Sequence, residues 1–201
     1  MEVLIKEMES GHIPEVVKVH LKSFEGFFLS FLGPAFLREL YASLIKDPYR
    51  ICLVAQKDTA VLGFAAGTIR ASGVYSRLFR QRIFRFGLAA VPAIIKQPSI
   101  FPRLIRGITD PHGQADSALN RGALMSIAVL PREQRGGIGH ELVRRFLEEA
   151  SLAGSNQVDL TTNRYDNENT NRFYQKLGFR IESSFRTPEG LEMNRYVIDL
   201  E

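Results

Sequence analysis

Residues 124–140 pass from an apolar, β-branched stretch (Ile127, Val129) through Pro131 and a turn carrying Gly136, Gly137 and Gly139 into an amphipathic helix pattern. Leu142, Val143, Phe146, Leu147 and Ala150 fall on one face of that helix. Three glycines in four positions open backbone conformations closed to other residues and let a ligand approach the main chain. Consecutive amide N–H groups at a helix start attract anions, because partial positive charge gathers there. Strand, turn and helix together predict a site for a phosphate-bearing ligand, or else a turn that only joins two elements. Two nucleotide-binding forms fail. No Lys-Ser or Lys-Thr pair follows the glycines as a P-loop requires. Leu142 stands where the dinucleotide fingerprint needs its third glycine, although Asp159 lies at a suitable distance.

Gln134-x-x-Gly137-x-Gly139, after a strand ending in Val129-x-Pro131, resembles the acetyl-CoA signature of the GNAT N-acetyltransferase superfamily, Arg/Gln-x-x-Gly-x-Gly/Ala. About thirty residues on, Asn167-x-x-Thr170-x-x-x-Tyr174-x-x-x-Gly178-Phe179 resembles the family's Asn-x-x-Ala-x-x-x-Tyr-x-x-x-Gly-Phe segment. Thr170 replaces the usual small Ala, which crowds that helix against the cofactor arm. The resemblance covers residues 1–70 loosely and 122–201 well. It implies an α/β fold in which helices flank a mixed, mostly antiparallel central sheet, with acetyl-CoA as acyl donor. It also implies a cofactor strand that splays from its neighbour, so that Ile127, Ala128 and Val129 offer main-chain groups to the pantetheine arm. Gln134, Arg135, Gly136, Gly137, Ile138, Gly139 and His140 would hold the pyrophosphate. Asn167 would cap the helix beside the cofactor, and Tyr174 would protonate the departing thiolate.

The 201 residues, 45% hydrophobic, suffice for one substantial core, and the sequence is read as one domain over residues 1–201. A single cysteine excludes an intramolecular disulfide and predicts a cytoplasmic protein. Cys52, in a strand-like apolar run, reads as an inert core residue. Glu2, Lys6 and Glu7 break any early apolar stretch, so no secretory leader is expected. The apolar run 88–95 is too short to cross a bilayer.

Periodicity predicts a strand over 3–6 and a helix carrying Ile13, Val16, Val17, His20, Leu21 and Phe24. A second helix starts at Pro34, a favoured first helical position, and runs towards Asp47. Strands follow over 51–56 and 61–69, and later over 157–162, 179–185 and 193–200, with a helix around Tyr174. Residues 71–121 do not fit that plan and read as a basic helical insertion, two helices broken near residues 98–102. Between Ala60 and Thr109 there is no acidic residue but eight basic ones, a window of +8 in a chain of +4. Three readings stay open: a structural flap with solvated arginines, a peripheral contact of 71–109 with anionic membrane, or a lid whose arginines meet a substrate phosphate. Nucleic acid is not expected, because no recognised module accompanies the charge.

The proton acceptor is not fixed by sequence. His20 reads as a satisfied core histidine. Glu25 borders the loop that lines the acceptor site in relatives and is the candidate base, with Glu192 and ordered water as alternatives. Asn163, Arg164 and Asp166 end a strand where acceptor-facing groups lie. No residue spacing supports a metal site. Two functions follow: an enzyme moving an acetyl group directly from acetyl-CoA to a primary amine, such as an amino sugar or its nucleotide or lipid conjugate, or a non-catalytic acyl-CoA-binding module acting through the basic insertion. Monomer and homodimer remain equal readings.

Overall fold

Alternate residues of β2 (Arg50–Lys57) enter two different cores. Cys52 and Val54 join one cluster, and Ile51, Leu53 and Ala55 join the other, as the two-residue period of a strand requires. A sheet loaded on both faces needs helices on both sides, which is the three-layer arrangement seen in this computed structural model. It describes residues 2–80, 82–98, 120–134 and 136–201.

The chain begins with β1 (Leu4–Glu7), a 3-10 turn at Ser10–His12, and α1 (Ile13–Ser23). A short α2 (Phe28–Phe31) and α3 (Gly33–Leu44) precede β2 and β3 (Ala60–Thr68). After α4 (Val74–Arg80) and α5 (Ile83–Lys96) come β4 (Arg121–Val129), α6 (Ile138–Leu152) and β5 (Gln157–Asn163). The chain closes with α7 (Glu168–Lys176), β6 (Arg180–Arg186) and β7 (Glu192–Asp199). Strand order is β1-β2-β3-β4-β5-β7-β6. Every pair is antiparallel except β4 with β5. The mixed, mostly antiparallel sheet flanked by helices is as the sequence led one to expect.

One core holds α1, α3, α4 and α5 against the sheet, around Phe36, Leu37, Tyr41 and Phe64. The other seats α6 on the opposite face through Leu142, Val143 and Phe146, with Tyr174 and Tyr196 beside them. Cys52 is buried in the first core, and burial pushes its thiol up to about 12, so it stays an unreactive thiol.

Three features of the insertion go beyond the expectation. First, α4 ends at Arg80 and α5 begins at Ile83, while α5 itself ends at Lys96 and the break expected near 98–102 falls largely outside the described residues. Folding back between α4 and α5 brings Phe79 and Phe86 together, ring centroids 4.3 Å apart, with Phe86 5.2 Å from Phe36 of α3. Second, its charge is not uncompensated. The Arg77 Nε donates to Asp47 at 3.1 Å and the Arg82 Nη1 to Glu39 at 2.9 Å, carboxylates far upstream in sequence. Arg70 and Arg77 also lie over the Tyr49 ring, at 5.3 and 5.1 Å. Third, Arg121 is already the first residue of β4. Arg103 and Arg106 lie outside the described residues.

Candidate active site

β4 and β5 pair only over Arg121↔Gln157, Gly122↔Val158 and Ala123↔Asp159. β4 runs on to Val129 and β5 to Asn163, so the two strands part and open a wedge in the centre of the sheet. A cavity of about 690 Å³ occupies it, a size that suits a small-ligand site. Residues Leu124 to Val129 line one side and Leu160 to Asn163 the other. Thr170, Phe173 and Tyr174 of α7 contribute, as do Gln134 and Gly139 of the glycine turn. Phe24, Phe27 and Phe28, between α1 and α2, and Leu191 and Met193 of the last hairpin complete the lining.

A bulge shapes the β4 side. Ala66 pairs with Ser126 and Gly67 with Leu124, so Met125 is an extra residue that turns the strand into the wedge. Gly67 makes this possible: a Cβ there would stand 2.1 Å from the Ala123 carbonyl oxygen and 2.7 Å from the Phe146 ring.

At the end of β4 the chain makes a 3-10 turn over Pro131–Glu133. Gly137 then adopts φ 76°, the left-handed region that favours glycine, and starts α6. The amides of Ile138, Gly139 and His140 precede the first intrahelical bond, from Glu141 N–H to the Gly137 carbonyl at 3.1 Å. These amides have no intrahelical acceptor, and with the helix dipole they give the turn the partial positive charge that suits an anion. Gly136 and His140 are exposed beside it, and Ile138 is buried beneath it. Arg135 lies outside the described residues. The Gln134 side-chain amide donates to the Val129 carbonyl at 3.3 Å, and so does the Ser23 hydroxyl. Gln134 thus pins the turn to the strand end.

Tyr174 is buried on the cavity wall, packed edge-on against Phe173 and Phe179. Burial holds its phenol protonated well above the ordinary range, and among the described residues its hydroxyl has no hydrogen-bond partner. Asn167 stands in the capping position just before α7, but its side chain makes no cap hydrogen bond. Its side-chain amide instead donates to the Thr162 hydroxyl at 2.7 Å and the Asn163 carbonyl at 3.2 Å, because β5 ends within reach. Asn171 bonds the same Asn163 carbonyl, so the two carboxamides strap α7 to β5.

His20 is buried as expected and also lines the cavity, but it is not fully satisfied, since its Nε2 has no hydrogen-bond partner among the described residues. Its Nδ1 shares a 2.7 Å hydrogen bond with the Tyr41 hydroxyl, which in turn lies 3.4 Å from Ser126 on β4. Burial lowers the imidazole from 6.5 to about 4, so it is neutral and a weak base. Glu25 is exposed on the turn between the lining residues Phe24 and Phe27, and is not itself in the lining. Asn163 lines the cavity, whereas Arg164 and Asp166 are exposed outside it. Asp159 is buried beside Arg121, whose guanidinium lies 3.8 Å away. Among the described lining residues none is charged at neutral pH. Sequence reasoning missed Ser126, Tyr41 and the aromatic α2 segment. The run Phe27-Phe28-Leu29 was the available signal.

The pattern of the Acetyltransferase (GNAT) family matches residues 16–179, most of the chain, and the protein belongs to that family. Acetyl-CoA is the co-substrate this membership brings, and the wedge and cradle suit it. No curated protein sequence matches the chain. Among solved structures it resembles the ribosomal-protein-S18-alanine N-acetyltransferase from Escherichia coli, with 15% identity, TM-score 0.63, and 100% of this chain and 95% of that one covered. It also resembles yncA from Salmonella typhimurium, solved with its cofactor acetyl-CoA, at 12% identity, TM-score 0.64, and coverage of 100% and 95%. The paia N-acetyltransferase from Thermoplasma acidophilum, in complex with coenzyme A, gives 15% identity, TM-score 0.59, and coverage of 97% and 98%.

Proposed function

We propose that the protein transfers an acetyl group from acetyl-CoA directly to a primary amine, and that the amine is borne by an uncharged, partly apolar acceptor. The observation that carries this reading is the wedge, where a glycine cradle, free strand edges and a buried phenol meet in one cavity.

Acetyl-CoA supplies the activated acyl group as a thioester. The main chain of Ile127, Ala128 and Val129 would receive the pantetheine amides as a further strand would be received, with the Val129 carbonyl releasing Ser23 and Gln134 to do so. The turn from Gln134 to His140, Arg135 included, would cradle the pyrophosphate. A free β4 amide would stabilise the charge that builds on the carbonyl oxygen. The amine nitrogen bonds to the acyl carbon, the carbon–sulfur bond breaks, and Tyr174 gives its proton to sulfur. The amine's surplus proton leaves through water to the exposed rim, where Glu25 accepts it. Asn167 serves by holding α7, and thus Tyr174, against β5.

The uncharged lining bears on the acceptor. A polyamine calls for carboxylates and a nucleotide conjugate calls for a cation, and neither stands among the described lining residues. Thr161, Thr162 and Asn163 offer partners to hydroxyl groups, while Phe24, Phe27 and Phe28 offer an apolar wall. An amino sugar, free or lipid-linked, fits this mixture better than its nucleotide form. In this reading the enzyme works in the cytoplasm, where acetyl-CoA is at hand. Release of coenzyme A thiol across a panel of amines tests the proposal, with amino sugars, their lipid and nucleotide conjugates and a polyamine included. Amine-dependent release that collapses in Tyr174→Phe is expected. Acetyl-CoA binding with no release on any amine would instead make the chain a binding module.

A further inference from the structure

α5 carries apolar side chains on two opposite sides. Phe86, Ala90 and Ala93 are buried in the core around Phe36. Phe84, Leu88, Val91 and Ile95, spaced four, three and four residues apart, form a second stripe that is 86%, 74%, 43% and 75% exposed. Ile83, also exposed, extends it at the N-terminal end. A contiguous apolar stripe of this kind on a water-facing surface marks a contact site.

The surrounding charge selects the partner. Arg85 and Lys96 are exposed at the two ends of the helix, the Arg85 guanidinium two-thirds exposed although it comes within 3.9 Å of Glu39, and no acidic residue occurs anywhere from residue 61 to 109. Arg77 and Arg82 are excluded from this surface, because Asp47 and Glu39 hold them inward. A two-fold pairing of the stripe with a second copy would set these cations against their own counterparts, with no carboxylate on α5 itself and only the Glu39 already shared by Arg82 and Arg85 nearby. An anionic surface meets both requirements at once. The fourteen residues of α5 are too short to cross a bilayer, and no described helix is long and apolar enough to do so. A helix with this pattern lies in the interfacial plane.

We propose that the exposed face of α5 docks on an anionic lipid bilayer, with Phe84, Leu88 and Ile95 entering the acyl boundary and Arg85 and Lys96 meeting the headgroups. The inference does not depend on the acceptor or on acetyl transfer. Each cation near such a surface strengthens binding roughly fivefold, and salt weakens that share.

The test is cosedimentation of the full chain with vesicles of phosphatidylcholine alone or of phosphatidylcholine and phosphatidylglycerol in equal parts. The expected result is binding to the mixed vesicles, weakened by salt. Leu88→Ser with Ile95→Ser, and separately Arg85→Gln with Lys96→Gln, should each lower it at least about tenfold, with unchanged thermal unfolding. Equal binding to neutral vesicles, or none to either, overturns the proposal. A concentration-dependent dimer that Leu88→Ser with Ile95→Ser dissolves also overturns it, in favour of a second copy. A marked fall in melting temperature in that variant would show that the chain itself covers the stripe, and overturns it equally.

Discussion

Arg121 on β4 reaches Glu182 on β6 through two hydrogen bonds of 3.0 and 2.9 Å, at the closed end of the wedge between β4 and β5. The same guanidinium bonds the Gln157 side chain at 2.8 Å and neutralises the buried Asp159. Glu182 is the extra residue of a bulge in β6, which frees its side chain to reach inward, and Arg121 holds its carboxyl below the usual range. Arg121→Ala removes the guanidinium beside the buried Asp159 carboxylate and should cost about 3 kcal/mol. Glu182→Gln, at a half-exposed site, should cost only about 1 kcal/mol. Urea denaturation of both variants measures the difference.

Gly67→Ala should destabilise more than its single methyl suggests. The added carbon would collide with the Ala123 carbonyl and the Phe146 ring, so β3 or α6 must move. A loss of about 2–3 kcal/mol is expected, as for overpacked cores, with weakened acetyl-CoA binding because the β4 bulge shifts. Denaturation and calorimetric titration read the two effects.

Gly137→Asp should lower acetyl-CoA affinity by about ten- to a hundredfold, because a carboxylate would face the pyrophosphate at a left-handed backbone position. Unchanged affinity in a folded variant, read by calorimetry, would remove the phosphate cradle.

Tyr174→Phe should reduce turnover by about 10²- to 10⁴-fold while leaving acetyl-CoA affinity nearly unchanged. Burial raises the wild-type phenol, so its proton-donating form persists to higher pH than a free tyrosine's. Any alkaline loss of rate from this group therefore lies above pH 10, which a pH profile of kcat can check.

His20 gives the fold an acid-side weakness. Its folded value is about 4 against 6.5 when unfolded, so the unfolded chain binds the extra proton first as pH falls. The stabilisation is present above about pH 6.5 and is lost on descent towards 4. Between pH 7 and 4.5 the wild type should lose about 2 kcal/mol that His20→Gln retains, by denaturation at the two pH values.

The sheet and the glycine turn were legible because they rest on local signals. Short, nearly unbroken apolar runs marked β2 and β3, and the glycines marked the start of α6. What was not legible depends on contacts between distant residues. Asn167 sits where a cap belongs, but only the nearness of β5 draws its side chain to Thr162. The arginines of α4 and α5 lack acids in their own window, and only folding brings Asp47 and Glu39 to them. The parting of β4 from β5 was implied by the family motif alone, since no residue pattern announces where a ladder ends.

That parting also explains how far such chains can drift. A guest held by main-chain N–H and C=O groups is recognised by atoms every residue possesses, so replacement of side chains along the strand leaves the grip intact. Only residues that shape the backbone, such as Gly67 and Gly137, are pinned. Neighbours at 12–15% identity can thus share one architecture over nearly their whole length while little of their text agrees.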